Sequence, residues 1–517
     1  MLHIVFRSGQ NTLMCAFETN ENPKQPPHPL PSPRYPQPLC AAAVSRLFSG
    51  CADFETRVVL PALEHDAVTA CWLDGVVQGS EIAETVLRPL TDAARLSRTD
   101  GDAERIELME RGAVYCCNMK RRKTTDETVD DIVRGCCAVI FDSLGEALTF
   151  EARTSNRRAV SEPTVEKSLK GAKDAFVESL RVNTSLVRRK LRSPALKLTQ
   201  TTVGRKSGTV VGVMYIEDVA DPGIVAEVGR RLDAIDIDGL LAAGDLEDYI
   251  TDYPASPYPQ LLHTERADRF STELLEGRVG LICDGLPIGF LVPATLPSFM
   301  SVPEDDSLHF TVATALSVLR WFALVLALTL PALLVAVAMY HQEMLPTKLL
   351  LSMIEAKQRV PFGVAGETLA ILLAFELLQE AGLRLPDPVG QTVSIIGALI
   401  VGQSAVEARV VSPIAVIVVA VAGISGYTMP SQDLSSALRL HRFLLVFAAL
   451  FAGLYGIVAA LCLLVWRLCT LESYGLAYTS PMTNSDRGLL GTLLVRPMHR
   501  RKFRDAGVAG PDLRRQR

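Results

Sequence analysis

Residues 443–466 read FLLVFAALFAGLYGIVAALCLLVW, an uncharged and almost wholly apolar run that sets the character of the carboxyl-terminal part of the chain. A helix needs about 20 such residues to cross the hydrocarbon core of a bilayer, so this stretch predicts a membrane span. Three further runs of this kind precede it, Trp321–Tyr340, Pro388–Val406 and Val410–Met429. The region is therefore predicted to be an all-α membrane domain with four spans, or with five or six if the connections also cross.

The two ends of the chain are predicted to lie on the same side of the membrane, because four spans return the chain to its starting side. The tail after the last run is rich in arginine and contains Arg500-Arg501-Lys502, which favours a cytoplasmic position. The amino terminus, MLHIVFRSGQ, lacks the charged segment and apolar core of a signal peptide. Both the amino-terminal region and the tail are thus expected in the cytoplasm.

The connection between the first two runs contains the apolar segment GVAGETLAILLAFELLQEAGL at 363–383, which fits a fifth span, a re-entrant helix or an interfacial helix. Glu376, Glu380 and Arg384 recur at intervals of four on one helical face, and Glu367 points roughly the opposite way. An ion pair between Glu380 and Arg384 would explain this row. Acidic groups that face water at membrane depth and line a cation path would explain it equally well.

The second run carries small residues that allow helices to approach closely. Gly390, Gly397 and Gly402 are predicted packing positions, and Gln403 is a candidate for a hydrogen bond between helices. Glu407 follows in the short turn before the third run, where it either pairs with Arg409 or joins the candidate ion path. This pattern indicates a helix buried in a bundle or an oligomer.

The preceding 300 residues have the mixed charge of a soluble fold and contain an internal duplication. VTACWLDGVVQGSEIAETV at 68–86 corresponds to VVGVMYIEDVADPGIVAEV at 210–228, and CCAVIFDSLGEALTFEA at 136–152 corresponds to RVGLICDGLPIGFLVPA at 278–294. Strand and helix patterns alternate in each copy, which predicts two related α/β subdomains, each with a mixed sheet. The second hairpin, from 279 to 300, is apolar enough to suggest a span, but its acidic and proline residues favour a buried β-hairpin.

The predicted order begins with a proline-rich disordered tail and ends with a basic cytoplasmic tail. Between them lie the first α/β subdomain, a helical linker, the second α/β subdomain and the membrane domain. The predicted bounds are 1–40, 41–155, 156–195, 196–305, 306–470 and 471–517.

Several function classes find no support in the sequence. The net charge is −5 and no basic face is interleaved with aromatic residues, so nucleic-acid binding is not expected. The eleven cysteines include no CxxC and no Cys/His set with zinc spacing. The sequence contains no nucleotide-binding, metalloprotease or hydrolase motif in a setting where that motif would be meaningful. We therefore expect no catalytic residue, no metal and no cofactor.

Long strings in both halves resemble the A subunits of GerA-type spore germinant receptors. In the soluble half these strings are GAKDAFVESLRVNTSLVRRKL at 171–191, SPYPQ at 256–260, TERAD at 264–268 and LLEGRVGLICDGLPIGFLVP at 274–293. In the membrane half they are HQEMLPTKLL at 341–350, FELLQEAGLRLPDPVGQTVSIIGALIVGQSAVEARVVSP at 375–413 and SYG at 473–475. One departure is Arg409, where the family has a small, glycine-like residue.

The resemblance implies a non-enzymatic protein of the inner membrane of a bacterial spore. Its expected partners are a transporter-like B subunit, a lipoprotein C subunit, further copies of itself and membrane lipid. The resemblance also implies nutrient sensing by the complex and a cation path that the oligomer forms or gates. The alternatives are a non-conducting scaffold and a sporulation-stage transport accessory that couples a transporter-like partner.

Overall fold

The computed structural model describes two α/β units followed by a helical region. The described residues are 34–59, 67–91, 101–114, 118–153, 163, 166, 170–358, 360–384, 403–483 and 488–516. The α/β amino-terminal part and the helical carboxyl-terminal part confirm the predicted fold class. The predicted proline-rich tail lies almost entirely outside these residues.

The first unit is built on a five-stranded sheet with strand order β1-β2-β4-β5-β3. Its central strand β4 is buried along its whole length, as its apolar sequence CCAVIF predicts. The elements are α1 (Ala41–Leu47), β1 (Phe54–Val59), β2 (Val68–Leu73), α2 (Gly79–Ile82, continued through Ala83–Leu87 and Arg88–Thr91), α3 (Asp102–Leu108, continued through Met109–Ala113), β3 (Met119–Arg122), α4 (Thr125–Val133), β4 (Cys136–Phe141) and β5 (Glu146–Glu151).

The second unit repeats this plan, with strand order β6-β7-β9-β10-β8. Every pairing between neighbouring described strands in the two sheets is antiparallel, whereas the alternating pattern predicts mixed sheets. The elements are α5 (Leu180–Lys190), β6 (Leu196–Val203), β7 (Thr209–Ile216), α6 (Pro222–Asp233), α7 (Ala243–Ile250), β8 (Leu262–Thr264), α8 (Ala267–Leu275), β9 (Val279–Cys283) and β10 (Gly289–Val292). The buried hairpin predicted at 279–300 is confirmed by β9 and β10.

In each unit, an aspartate at the turn of the last β-hairpin accepts a hydrogen bond from the start of the unit's first helix. Asp142 Oδ1 accepts a hydrogen bond from the backbone N–H of Ala41 at 2.7 Å, and Asp284 Oδ1 accepts one from Leu180 at 2.9 Å. Both donors are first residues of helices, whose N–H groups have no partner within the helix. The equivalent contacts support the duplication inferred from the sequence.

The segment predicted as a helical linker, 156–195, contains one helix in its described part. That helix is α5, and no helix forms over 170–179. There the chain is extended, and Phe176 N–H donates a hydrogen bond to Glu265 O at 2.7 Å. The side chain of Asn183 accepts a hydrogen bond from Val177 N–H and donates one to Val177 O. These contacts draw the segment toward β8 and compete with helix formation.

Helix α5 lies between the two units and holds them together. Arg188 is fully buried and donates to both carboxylate oxygens of Asp53 at 2.8 Å and to Leu196 O at 2.7 Å. The backbone just before β1 also pairs with the edge strand β6, since Ala52 N–H donates to Leu198 O at 2.7 Å. The units are therefore joined both through an isolated backbone bridge and through a buried ion pair.

The helical region packs against the second unit, and one hydrophobic core runs from that unit into the helices. Two described helices, α10 and α15, are long and apolar enough to cross a membrane. The region also contains short 3₁₀ segments and a two-stranded sheet. The elements are α9 (Leu296–Met300), α10 (Phe310–Tyr340), α11 (Thr347–Lys357), α12 (Val364–Arg384), α13 (Ala405–Glu407), α14 (Pro413–Tyr427), α15 (Gln432–Thr470), β11 (Glu472–Ser473), β12 (Leu476–Ala477) and α16 (Gly488–Leu493).

The predicted spans map unevenly onto these helices. Helix α10 contains Trp321–Tyr340, and α14 lies within Val410–Met429. Most of Pro388–Val406 falls outside the described residues. Helix α12 covers the apolar segment at 363–383, for which the sequence allows a fifth span, a re-entrant helix or an interfacial helix. It packs beside α14 and places the Phe375 ring against Gly423.

The run at 443–466 does not form the straight span that its sequence predicts. Gly453 has φ = 58° and ψ = −136°, which breaks the helix within α15. A Cβ on Gly456 would overlap the carbonyl oxygen of Ala448, whereas residues eight apart in a straight helix are separated by about 12 Å. The chain therefore turns back at Gly453, and α15 is a hairpin of two helical arms.

Partners from α10 satisfy the backbone at this turn. Tyr340 Oη donates to Leu450 O at 2.6 Å, and Leu454 N–H donates to His341 Nε2 at 3.4 Å. Both arms lead back to the second unit, since Asp433 contacts it from the first arm and Ser473 contacts it just beyond the second.

Candidate functional site

Glu376, one of the acidic residues singled out by the sequence, lies between two arginines of the first arm of α15. Its Oε2 is 3.4 Å from Arg439 Nη1, and its Oε1 is 3.9 Å from Arg442 Nη1. All three side chains are largely buried, and that of Arg442 is only 3% exposed. Gly426 on α14 lies beside this guanidinium, since a Cβ there would be 3.5 Å from Arg442 Nη2, an ordinary van der Waals distance.

This cluster carries more positive than negative charge and is loosely bonded. Two guanidinium groups face one carboxylate, and the longer of the two ion-pair distances exceeds that of a hydrogen bond. Glu376 Oε1, Arg439 Nε and both Nε and Nη1 of Arg442 have no hydrogen-bond partner among the described residues. Buried polar atoms without partners are costly, so this cluster is a polar site whose hydrogen-bonding capacity the described residues do not fill.

Glu367 occupies a separate position on α12. Its side chain is 1% exposed, its Oε2 lies 3.5 Å from Lys357 Nζ, and its Oε1 accepts a hydrogen bond from Ser412 N–H. Ser412 is the N-cap of α14, so this carboxylate fastens the start of one helix to its neighbour. The structure thus places Glu367 in an interhelical contact of its own.

The remaining predicted residues are not drawn into the Glu376 cluster by any described contact. Glu380 is exposed one turn beyond Glu376, and Arg384 ends α12 with its side chain outside the described set. Gln403 Nε2 donates to Glu407 Oε1 at 3.1 Å on the surface. The predicted packing positions Gly390, Gly397 and Gly402 lie outside the described residues.

Sequence reasoning missed the junction where the second unit meets α15. His263 Nδ1 of β8 is 3.0 Å from Asp433 Oδ2, and Tyr258 Oη is 3.1 Å from His441 Nε2. The hydrogen bond to Asp433 raises the pKa of His263 above its ordinary value of 6.5, although burial opposes the shift. Burial also raises the pKa of Tyr258 to about 12, so this phenol stays protonated at neutral pH.

The chain beyond the second arm completes this junction. Ser473 Oγ donates to Gln260 O at 3.1 Å and accepts from Ala294 N–H at the same distance. Tyr474 Oη donates to Ile250 O at 2.9 Å. The only sequence signal for these contacts is that SPYPQ and SYG, which carry several of the residues, are among the strings of the resemblance.

The geometry suits mechanical coupling between parts of the chain. No group of three or more His, Cys, Asp or Glu side chains in the described part of the chain could hold a metal ion. What the structure brings together instead is a charged cluster between helices α12 and α15 and a polar junction between α15 and the second unit. Helix α15 therefore contacts both the second unit and the helix that carries Glu376.

Comparison with known proteins gives consistent matches along most of the chain. A family model described as Bacillus/Clostridium GerA spore germination protein matches residues 42–506. Spore germination protein KA of Bacillus subtilis (strain 168) is 34% identical over 455 residues, which cover 88% of this chain and 83% of the relative. Uncharacterized membrane protein YfkQ of the same organism is 35% identical over 425 residues and covers 82% of each chain.

The amino-terminal part also resembles a solved structure. It is the crystal structure of the N-terminal domain of the A subunit of the Bacillus megaterium spore germinant receptor GerK3, which is 27% identical to this chain. The match covers 49% of this chain and 93% of that domain, with a TM-score of 0.40.

Proposed function

Because this chain belongs to the GerA family of spore germination proteins, we propose that it is the A subunit of a spore germinant receptor, embedded in the inner membrane of a bacterial spore. The observation that carries the proposal is the family match over residues 42–506, which includes both α/β units and the helical region. Helix α10, which is long and apolar enough to cross a bilayer, and the apolar arms of α15 support the membrane location. Both chain ends are proposed to face the cytoplasm.

The partners follow from the same proposal. A transporter-like B subunit and a lipoprotein C subunit would complete the receptor, and further copies of this chain would pack beside it. Large apolar side chains that project from the helical arms support such contacts with lipid or protein; Phe451 and Tyr455 are 79% and 82% exposed. Copurification of the tagged chain with coexpressed B and C subunits tests this part, and recovery of the chain alone would contradict it.

We further propose that the receptor gates a cation path and that the Glu376 cluster acts as the latch. Two guanidinium groups neutralise this carboxylate in the present arrangement, so it does not offer a free negative charge to a cation. A shift of α15 away from α12 would release it. The predicted path residues Glu367, Glu380, Arg384, Gln403 and Glu407 remain part of this proposal.

Cation flux in proteoliposomes that contain the full receptor tests the latch. Glu376→Gln is expected to abolish nutrient-triggered flux, because no carboxylate is then released. Arg439→Gln is expected to raise flux without nutrient, because it weakens the neutralisation of Glu376. The matched control is Glu355→Gln on α11, an exposed position outside the proposed path, which should keep triggered flux within about twofold of the parent.

Loss of folding must be separated from loss of gating, since removal of one partner from a buried ion cluster costs about 3–5 kcal/mol. Gel filtration of each variant in detergent provides that check. If folded Glu376→Gln receptor conducts as well as the parent, the latch is wrong.

A non-conducting scaffold is the second candidate, and the net positive charge of the cluster favours it. Such a protein would couple a transporter-like partner through its two α/β units. It predicts nutrient-dependent partner contacts with no flux in any variant, which the same proteoliposomes measure.

A further inference from the structure

A cavity of about 360 Å³ lies where the chain enters the first long apolar helix. It is open to the surface and is lined by the start of α10 and the residues just before it on one side and by residues from the segment 495–501, which follows α16, on the other. Val495 N–H donates to Thr314 Oγ1 at 3.1 Å, and Arg501 Nη1 is 2.7 Å from Asp306 Oδ1. These contacts hold together the two segments that line the cavity.

Its surroundings carry an excess of positive charge. Arg496 lines the cavity, and Arg500 and Lys502 follow on the same segment. All three are exposed, and none forms an ion pair with a residue that the structure describes. The two acids at the cavity are already neutralised, because Asp305 pairs with Arg320 and Asp306 pairs with Arg501.

Apolar side chains lie beside these cations. Phe310 and Met498, which line the cavity, are 40% and 48% exposed, and the nearby Leu494 is 49% exposed. The exposed apolar surface continues along α10 through Val312 and Leu316 toward the predicted span at Trp321. Unpaired cations next to apolar groups at the entry of a long apolar helix are the pattern of a surface that meets anionic lipid.

We propose that this cavity, together with Arg496, Arg500 and Lys502, binds the headgroup of an anionic phospholipid. The guanidinium and ammonium groups would contact the phosphate, and Phe310, Leu494 and Met498 would lie against the acyl chains. The inference rests on the membrane location proposed above and adds a specific lipid to it. Such a site would anchor the carboxyl-terminal tail, and with it the second unit, at the membrane surface.

Native mass spectrometry of the full chain in neutral detergent tests the site with equal amounts of dioleoyl-phosphatidylglycerol and dioleoyl-phosphatidylcholine. The parent should retain the anionic lipid in preference to the zwitterionic one. Arg496→Gln/Arg500→Gln/Lys502→Gln should lower this retention by about tenfold or more, because each cation near a lipid surface contributes appreciably. Arg57→Gln/Arg192→Gln/Lys206→Gln removes the same charge from exposed positions in the α/β units and should retain the lipid as the parent does.

Three outcomes would overturn the proposal. They are equal retention of both lipids by the parent, unchanged retention by the 496/500/502 variant, and displacement of the anionic lipid by millimolar inorganic phosphate, which would indicate a free-phosphate site. Extraction of the chain from cell membranes by detergent but not by salt or alkali reports the membrane location separately. A failed lipid site would thus be distinguishable from a failed receptor assignment.

Discussion

His263 shows how one side chain can make the junction between the second unit and α15 depend on pH. Its raised pKa means that the imidazolium–Asp433 pair stabilises the fold below pH 6.5, and that this contribution is lost as the pH rises through the raised value. Glu247 and Glu166 also face the pair. Burial, and after it the charge of Asp433, raises the pKa of Glu247 above its ordinary value of 4.5. Glu247 therefore also makes the fold less stable as the pH rises, but its contribution begins to be lost at a lower pH than that of His263.

We therefore expect the thermal midpoint of the full chain in detergent to fall as the pH rises above 6.5, and to fall less in His263→Gln. His309→Gln, which changes an exposed histidine at the start of α10, should keep the dependence of the parent. Identical pH profiles for the parent and His263→Gln would exclude this role.

Arg409 illustrates a departure that the structure explains. The family resemblance places a small, glycine-like residue at this position, and Arg409 adopts φ = 59°, in the left-handed region that disfavours a side chain. Arg409→Gly should relieve about 1–2 kcal/mol of backbone strain in the folded state. Part of this gain is offset because glycine loses more conformational entropy on folding than arginine does. The expected net gain of about 0.5 kcal/mol would appear as a higher denaturation midpoint, and a loss of stability would show that the Arg409 side chain has a supporting contact.

At the scale of elements, the turn of α15 depends on Gly453. A Cβ there would approach His341 Nε2 and the Tyr340 side chain at 3.1 Å, on a backbone that already has positive φ. Gly453→Ala is expected to lower the free energy of unfolding by about 2 kcal/mol or more. Gly366→Ala in α12, where no atom lies within 4 Å of the new methyl group, should be neutral or stabilising by up to about 1 kcal/mol. Equal stability of the two variants would show that the turn is not strained.

The two apolar hairpins of the chain differ in how far the sequence reveals them. The one at 279–300 is predictable because Asp284, Gly285 and several prolines interrupt its apolar run. The turn at Gly453 carries no such polar signal, since Tyr340 and His341 supply its hydrogen-bond partners from more than 100 residues away. A glycine within an apolar helix ordinarily indicates close packing, so composition alone favours a straight span.

The candidate site shows the same limit. Helical spacing is enough to single out Glu376, but Arg439 is 63 residues further along the chain, on another helix. Pairing across helices depends on the crossing of α12 with α15, which hydropathy does not specify. The sequence therefore identifies Glu376 as a candidate residue but does not predict that two arginines of α15 neutralise its charge.

Across the whole molecule, the duplication predicts equal roles for Asp142 and Asp284. Alanine at either position leaves one helix-starting N–H without its partner and should cost about 1–2 kcal/mol, with additive effects in the double variant. Asp236→Ala, which removes an exposed ion pair with Arg205, should cost under about 1 kcal/mol. Chemical denaturation of the full chain in detergent measures all four variants, and a neutral result at only one aspartate would break the equivalence of the two units.

The backbone bridge between residues 50–52 and β6 has a consequence for how a stimulus travels. The buried pair of Arg188 and Asp53 lies beside this bridge, so a change in the first unit can reach the second through two separate contacts. The second unit contacts the chain near both ends of α15, through Asp433 and through Ser473, so a change in its position would reach both helical arms at the same time.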